Sequence, residues 1–149
     1  MRTRRSGFTV IEMLIVMVLG AIILGVGTKS YARAENRRAV INARDAMILT
    51  AYRARSEAVR TGRMIYLDID PEDGLVEIAT SDSVLATLDA DDYGARMVGN
   101  ETTLCYTGRG YALPSCGDNL TADRPVGFIR GRDTARVVVL PLGQIRRSP

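Results

Sequence analysis

The feature that most constrains this 149-residue chain is the run of residues 8–27, twenty residues that carry a single charge, Glu12. At about 1.5 Å of rise per residue, a helix over that run is about 30 Å long, the thickness of a bilayer's hydrocarbon core. A carboxylate at the centre of such a helix costs about 2.5–3.5 kcal/mol on insertion scales, and less near an interface, so Glu12 calls for a partner. Arg2, Arg4 and Arg5 precede the run with no acid among them. Positive charge before a span holds that end on the cytoplasmic side, which predicts a single pass with the rest of the chain across the membrane.

Two simpler readings compete. An ordinary secretory signal has a basic start, an apolar stretch and a small-residue cleavage site, for which Ala32-Arg33-Ala34 is a candidate. Secretory apolar stretches, however, run about 7–15 residues and lack charge. A plain membrane anchor explains the length of the run but neither Glu12 nor the junction Gly7-Phe8.

The basic leader 1–7, the Gly7-Phe8 junction and a glutamate five residues beyond Gly7 resemble the class III signal of type IV prepilins and type II secretion pseudopilins. The resemblance implies that a prepilin peptidase cuts after Gly7 and methylates the new amino group of Phe8. Glu12 then has its cation, the Phe8 amine of its own or a neighbouring subunit, and becomes an assembly residue. It also implies a bacterial inner-membrane protein with a periplasmic C-terminal domain that later enters a pseudopilus or pilus.

Charge follows the processing. Three of the twenty basic residues lie in the leader, so seventeen remain against seventeen acids. The pI near 9.1 belongs to the precursor, and the mature chain is formally neutral. Within it the charge is segregated: residues 28–63 hold nine basic and three acidic side chains, residues 64–101 one and ten, residues 102–149 seven and three. Complementary blocks of this kind suit subunits that pack on one another, and equally the solvated faces of a neutral domain.

Beyond residue 27 the helical pattern turns amphipathic. Val40, Ala43, Met47, Ala51, Ala54 and Ala58 recur at steps of three and four, flanked by Ile41, Ile48, Tyr52 and Val59. The first proline is Pro71, and Gly62 is placed to end the helix after Arg60. Residues 8–61 are thus expected as one helix of about 80 Å, weakened near the membrane boundary by Gly20, Gly25 and Gly27. The division expected is a leader at 1–7, a membrane and assembly half of the helix at 8–27, its amphipathic half at 28–62 and a β-rich periplasmic domain at 63–149.

Strands are expected at 64–70 and 75–79, joined by the turn Pro71-Glu72-Asp73-Gly74, and again at 102–107, 111–113, 125–130 and 134–140. Residues 80–101, acidic and poorly periodic, predict a loop with a short helix around 84–88. One long helix against antiparallel sheet gives an α+β fold. Cys105 and Cys116, placed outside the cytoplasm by the topology, are expected to form a disulfide.

The stretch Ala54-Arg55-Ser56-Glu57-Ala58-Val59-Arg60-Thr61-Gly62, the Gly108-Arg109-Gly110 turn and Val137-Val138-Val139-Leu140-Pro141-Leu142-Gly143 are similar to the GspH/FimT-type minor pseudopilins. The resemblance spans nearly the whole chain and implies a pilin-like fold and a subunit that assembles with other pilins or pseudopilins. Lys29 stands where many relatives have a helix-kinking proline. DNA-binding members of the FimT type end in Gly-Arg-x-Arg, whereas this chain reads Gly143-Gln144-Ile145-Arg146-Arg147. A tip subunit that binds DNA for uptake is therefore the alternative function, with Arg146 and Arg147 as its candidate contacts.

No enzyme or cofactor is expected. The chain has no histidine, hence no imidazole base and no Ser-His-Asp triad, and no G-x-S-x-G elbow is present. Asp68, Asp70, Glu72 and Asp73 fail the register of a calcium loop and suit a solvated turn better than a metal site.

Overall fold

The computed structural model describes residues 9–113, 116 and 122–148, with backbone only at 26–30. Gly7 and Phe8, the expected cleavage and methylation sites, lie outside the described residues. The chain divides into two compact units, Met1–Glu35 and Asn36–Pro149, and helix α1, Val10–Thr61, contributes to both.

In the first unit α1 is solvent-facing on every side: Val10, Ile11, Met13, Leu14, Val16, Met17, Ile23 and Leu24 are all more than half exposed. Among the described residues of this unit the aliphatic side chains pack on no other element, an arrangement suited to lipid or to other helices. Among the described residues no helix is long and apolar enough to cross a membrane. The expected span 8–27 begins outside the described residues and ends where only the backbone is described.

In the second unit α1 buries one stripe. Val40, Ala43, Met47, Ala51, Ala54 and Ala58, the residues singled out by their spacing, are all buried, and Ala39 joins them. Alanine at four of the six positions keeps the helix surface smooth and lets the sheets approach closely. The helix ends at Thr61, with Gly62 in the left-handed region at φ 67° and its N–H on the Ala58 carbonyl at 2.9 Å.

Two antiparallel sheets complete the unit. The first runs in the order β3-β2-β1-β5, from β1 (Ile65–Asp70), β2 (Leu75–Ala79), β3 (Val84–Asp89) and β5 (Thr102–Tyr106). The second runs β4-β6-β7-β8, from β4 (Arg96–Val98), β6 (Arg124–Arg130), β7 (Asp133–Val139) and β8 (Ile145–Ser148). Ile65, Leu67 and Ile69 alternate inward from β1, Val126 and Phe128 from β6, and Val137 and Val139 from β7, to form one core with the α1 stripe. The β1–β2 turn is held by Asp70, whose Oδ1 accepts from the Glu72 and Asp73 amides at 2.9 and 3.2 Å.

Residues 80–101 depart from the expected loop and helix. Residues 84–89 form β3, paired with β2 from Leu75↔Asp89 to Ala79↔Val84, and the helical element there is a single 3-10 turn at Asp91–Tyr93. An edge strand buries neither face fully, so Val84 and Leu85 are exposed and the alternation that marks a strand is faint. Its formation satisfies the outer ladder groups of β2, a demand invisible in residues 84–88 themselves. The adjoining β4 joins the other sheet. The expected strand 111–113 shrinks to one bridge, Tyr106↔Ala112, and β8 arises where only an arginine tail was read.

Candidate functional site

The residues singled out by the sequence lie in the first helical turn, at the far end of α1 and in the turns and strands that meet it. The first turn is a capping box. Thr9 precedes the helix, and its Oγ1 accepts from the Glu12 amide at 3.3 Å while Glu12 Oε2 accepts from the Thr9 amide at 3.5 Å. Each residue thereby satisfies a donor that the helix start leaves without an intrahelical partner, and the carboxylate sits at the positive end of the helix dipole. The pattern Thr9-x-x-Glu12 is a local capping signal in the sequence, separate from the expected pairing of Glu12 with the Phe8 amine. The two roles are compatible: the Thr9 amide belongs to the peptide that joins it to Phe8, and the carboxylate has a second oxygen.

At the far end of α1 the three segments that carry the minor-pseudopilin resemblance come together. A Cβ on Gly108 would lie 3.0 Å from Gly62 Cα, and one on Gly110 would lie 3.0 Å from a Val59 methyl. The turn after β5 therefore lies against the helix terminus because it lacks side chains there. Arg60 bonds Glu57 through Nε at 3.0 Å and through Nη2, and this bond holds the Glu57 carboxyl below its ordinary range.

The third segment is the β7–β8 turn. Tyr106 is buried, and its hydroxyl donates to the Gly143 carbonyl at 2.6 Å, while the Ala112 amide donates to Leu142 at 3.2 Å. Burial pushes the Tyr106 hydroxyl up to about 12, with the Arg55 charge opposing. Beside it Cys105 and Cys116 are bonded, their Cα atoms 5.9 Å apart across a sequence separation of 11. The bridge closes the 105–116 excursion at its base, and the Tyr106 and Ala112 bonds tie it to the β7–β8 turn.

Arg146 and Arg147 are not brought together as one patch. Register places Arg147 opposite Val137 and Arg146 opposite Val138, and neighbours along a strand point to opposite faces. Arg147 shares the face of buried Val137, where its Nη2 donates to Asp45 Oδ2 of α1 at 3.3 Å; Arg44 Nε holds the other oxygen at 2.9 Å. Arg146 borders a cleft with Tyr52 and Arg55. Among the described residues no group of three or more acidic or cysteine side chains is placed to hold a metal ion.

Comparison with known proteins agrees with both halves of this description. Residues 2–28 match the family model described as the prokaryotic N-terminal methylation motif. The fold is similar to that of the type IV minor pilin FimU of Pseudomonas aeruginosa in two crystal structures. The P21 form gives a TM-score of 0.55 at 20% identity over 76% of this chain and 90% of that one. The P65 form gives 0.52 at 19% over 74% and 93%. No curated protein matches the chain. The prepilin methylation motif and a pilin fold of long helix on antiparallel sheets thus occur together here, consistent with the type IV pilin and pseudopilin superfamily.

Proposed function

We propose that the chain is a minor pseudopilin or minor pilin of the GspH/FimT type, a structural and non-catalytic subunit of a type II secretion pseudopilus or type IV pilus, placed in a short filament or its tip. The observation that carries this reading is the methylation motif at 2–28 joined to a pilin fold. The exposed aliphatic start of α1 supports it, since among the described residues that surface has no partner within its own unit.

In this reading a prepilin peptidase removes 1–7 after Gly7 and methylates Phe8. Residues 8–27 anchor the subunit in the bacterial inner membrane, residues 28–62 continue as the amphipathic half of the helix, and residues 63–149 form the periplasmic domain. The partners are other pilins or pseudopilins, reached by lateral movement of the α1 start from lipid into a bundle of like helices. Glu12 offers one carboxylate oxygen to the Thr9 amide and the other to a Phe8 amine, its own or a neighbour's. A charge that is costly in lipid becomes an ordering contact in the bundle.

Mass spectrometry of the protein isolated from its host tests the reading. An N-methylated Phe8 terminus is expected; a mature terminus at Met1 or Glu35 overturns it. Co-purification with other pseudopilins or with other pilins then separates the secretion role from the pilus role.

A further inference from the structure

Within the second unit α1 carries two stripes. One, from Val40 to Ala58, is buried against the sheets. On the opposite side of the helix Leu49, Tyr52, Ser56 and Val59 recur at steps of three, four and three. Leu49, Tyr52 and Val59 are 68%, 59% and 52% exposed, and Ser56 between them is exposed as well. A groove of about 610 Å³ follows this face past Tyr52, Arg55, Ser56, Val59 and Arg60. Alternating steps of three and four are the seam along which one helix packs on another. An apolar seam left open on a folded unit marks a surface of interaction.

The charged edges of the seam select its occupant. With Leu49 and Ser56 at the a positions and Tyr52 and Val59 at d, Arg53 and Arg60 fall at e and Arg55 at g, the flanking positions that set partner choice. All three are exposed. Arg60 is bonded to Glu57; among the described residues Arg53 forms no ion pair and Arg55 meets no carboxylate. Asp45, one turn before the seam, is taken by Arg44 and Arg147. A second copy of this helix laid parallel on the first would bring Arg55 against Arg60, and laid antiparallel it would again set arginine against arginine. Like charges facing each other across a contact exclude a partner.

We infer that the seam from Leu49 to Val59 takes a helix of a different pilin or pseudopilin, one with an apolar stripe of its own and Asp or Glu along its edges. Leu49, Tyr52 and Val59 supply the apolar contact, and Ser56 lets the partner backbone come close. Arg55 on one edge and Arg53 on the other pair with the acids of the incoming helix. The inference rests on the subunit reading for its setting, a filament, and adds a selection rule to it. The aliphatic start of α1 suits any like helix, whereas an arginine-edged seam accepts acidic neighbours and refuses its own copy. That is the preference a minor subunit needs among other subunits.

The test uses the full-length protein in its host, with the photo-reactive residue p-benzoylphenylalanine at position 52. An adduct with a different pilin or pseudopilin is expected, its cross-linked peptide lying in a helix that carries Asp or Glu on the adjacent turn. Arg53→Glu combined with Arg55→Glu lowers the yield about tenfold at low salt, a factor typical of lost charge pairs at an interface. Arg53→Lys with Arg55→Lys keeps the yield, and changing the mapped acids of the partner to arginine restores it to the glutamate variant. Melting temperatures of these variants stay at the wild-type value, because both side chains are exposed. An adduct with a second copy of this chain, with a protein that is no pilin or with a non-helical segment overturns the inference, as does a yield indifferent to charge reversal. So does the absence of any adduct from filaments containing Phe8-methylated subunit, a result that leaves the subunit reading standing. A mature terminus at Met1 or Glu35 with no pilin adduct removes that reading and the inference with it.

Discussion

The hydroxyl of Tyr106 donates to the carbonyl oxygen of Gly143 at 2.6 Å, joining residues 37 apart in sequence. Tyr106 ends β5 of the first sheet and Gly143 lies in the turn before β8 of the second, so this bond crosses from one sheet to the other. Because the tyrosine is buried, ionising it in the folded state is opposed, and its pKa rises to about 12 from 10.0. Between those two values the unfolded chain releases the proton and the folded chain retains it. Stability is then full below pH 10 and falls as pH rises through the folded value, by a total on the order of 2–3 kcal/mol. Tyr106→Phe should lose about 1 kcal/mol at neutral pH for the missing bond and show a shallower decline above pH 10, measured by urea unfolding across a pH series.

Gly143 is required on two counts. Its φ is 77°, and a Cβ there would fall 2.6 Å from the Ala112 Cβ and 2.7 Å from the Tyr106 ring. Gly143→Ala should cost about 3 kcal/mol from left-handed strain and overpacking together. Gly20→Ala, whose Cβ meets nothing within 4 Å, should leave the domain's unfolding midpoint unchanged. Denaturant midpoints of the two variants make the comparison.

Breaking the Cys105–Cys116 bridge frees a loop with a sequence separation of 11. Cys105→Ser should lower stability by about 3 kcal/mol on the chain-entropy estimate, and reduction of the wild type should reproduce the drop. Equal melting temperatures with and without reductant would show that the core alone holds the 105–116 excursion in place.

Arg147 and Asp45 form a pair at the surface, with side chains 66% and 36% exposed. Arg147→Ala should therefore change stability by about 0.5 kcal/mol or less. For duplex DNA, two free arginines on one face would predict a log-log salt slope that shrinks by about two units in the Arg146→Ala/Arg147→Ala variant. With Arg147 turned to Asp45, we expect a change of at most about one unit, read from gel shifts across a salt series.

Glu12→Ala removes one half of the capping box and the charge proposed to meet Phe8. Membrane insertion should persist, because the variant helix start is more apolar, and incorporation into filaments should fall. Glu12→Gln separates the two effects, since glutamine keeps the cap and lacks the charge. Cell fractionation measures insertion, and the content of sheared filaments measures assembly. Normal incorporation of both variants would make the carboxylate dispensable.

Local, repeating signals decided much of this protein from the sequence alone. The apolar run with one acid, the alanine-rich stripe from Val40 to Ala58, Gly62 as helix terminator and the Asp70–Gly74 turn are each written within a few residues, because helix period and turn chemistry act over that range. The α+β class follows from them, since a stripe of that kind must be buried against something. The tertiary structure alone decided the edges and the long-range meetings. Residues 84–89 and 145–148 have little alternation of their own; they are strands because β2 and β7 leave ladder groups to be paired. Which face Arg147 takes depends on a register set by Val137, and the approaches of Gly108 to Gly62 and of Tyr106 to Gly143 depend on how two sheets share one helix. Hydrogen-bond pairing and close packing act between segments far apart in the chain, and no window of neighbouring residues records them.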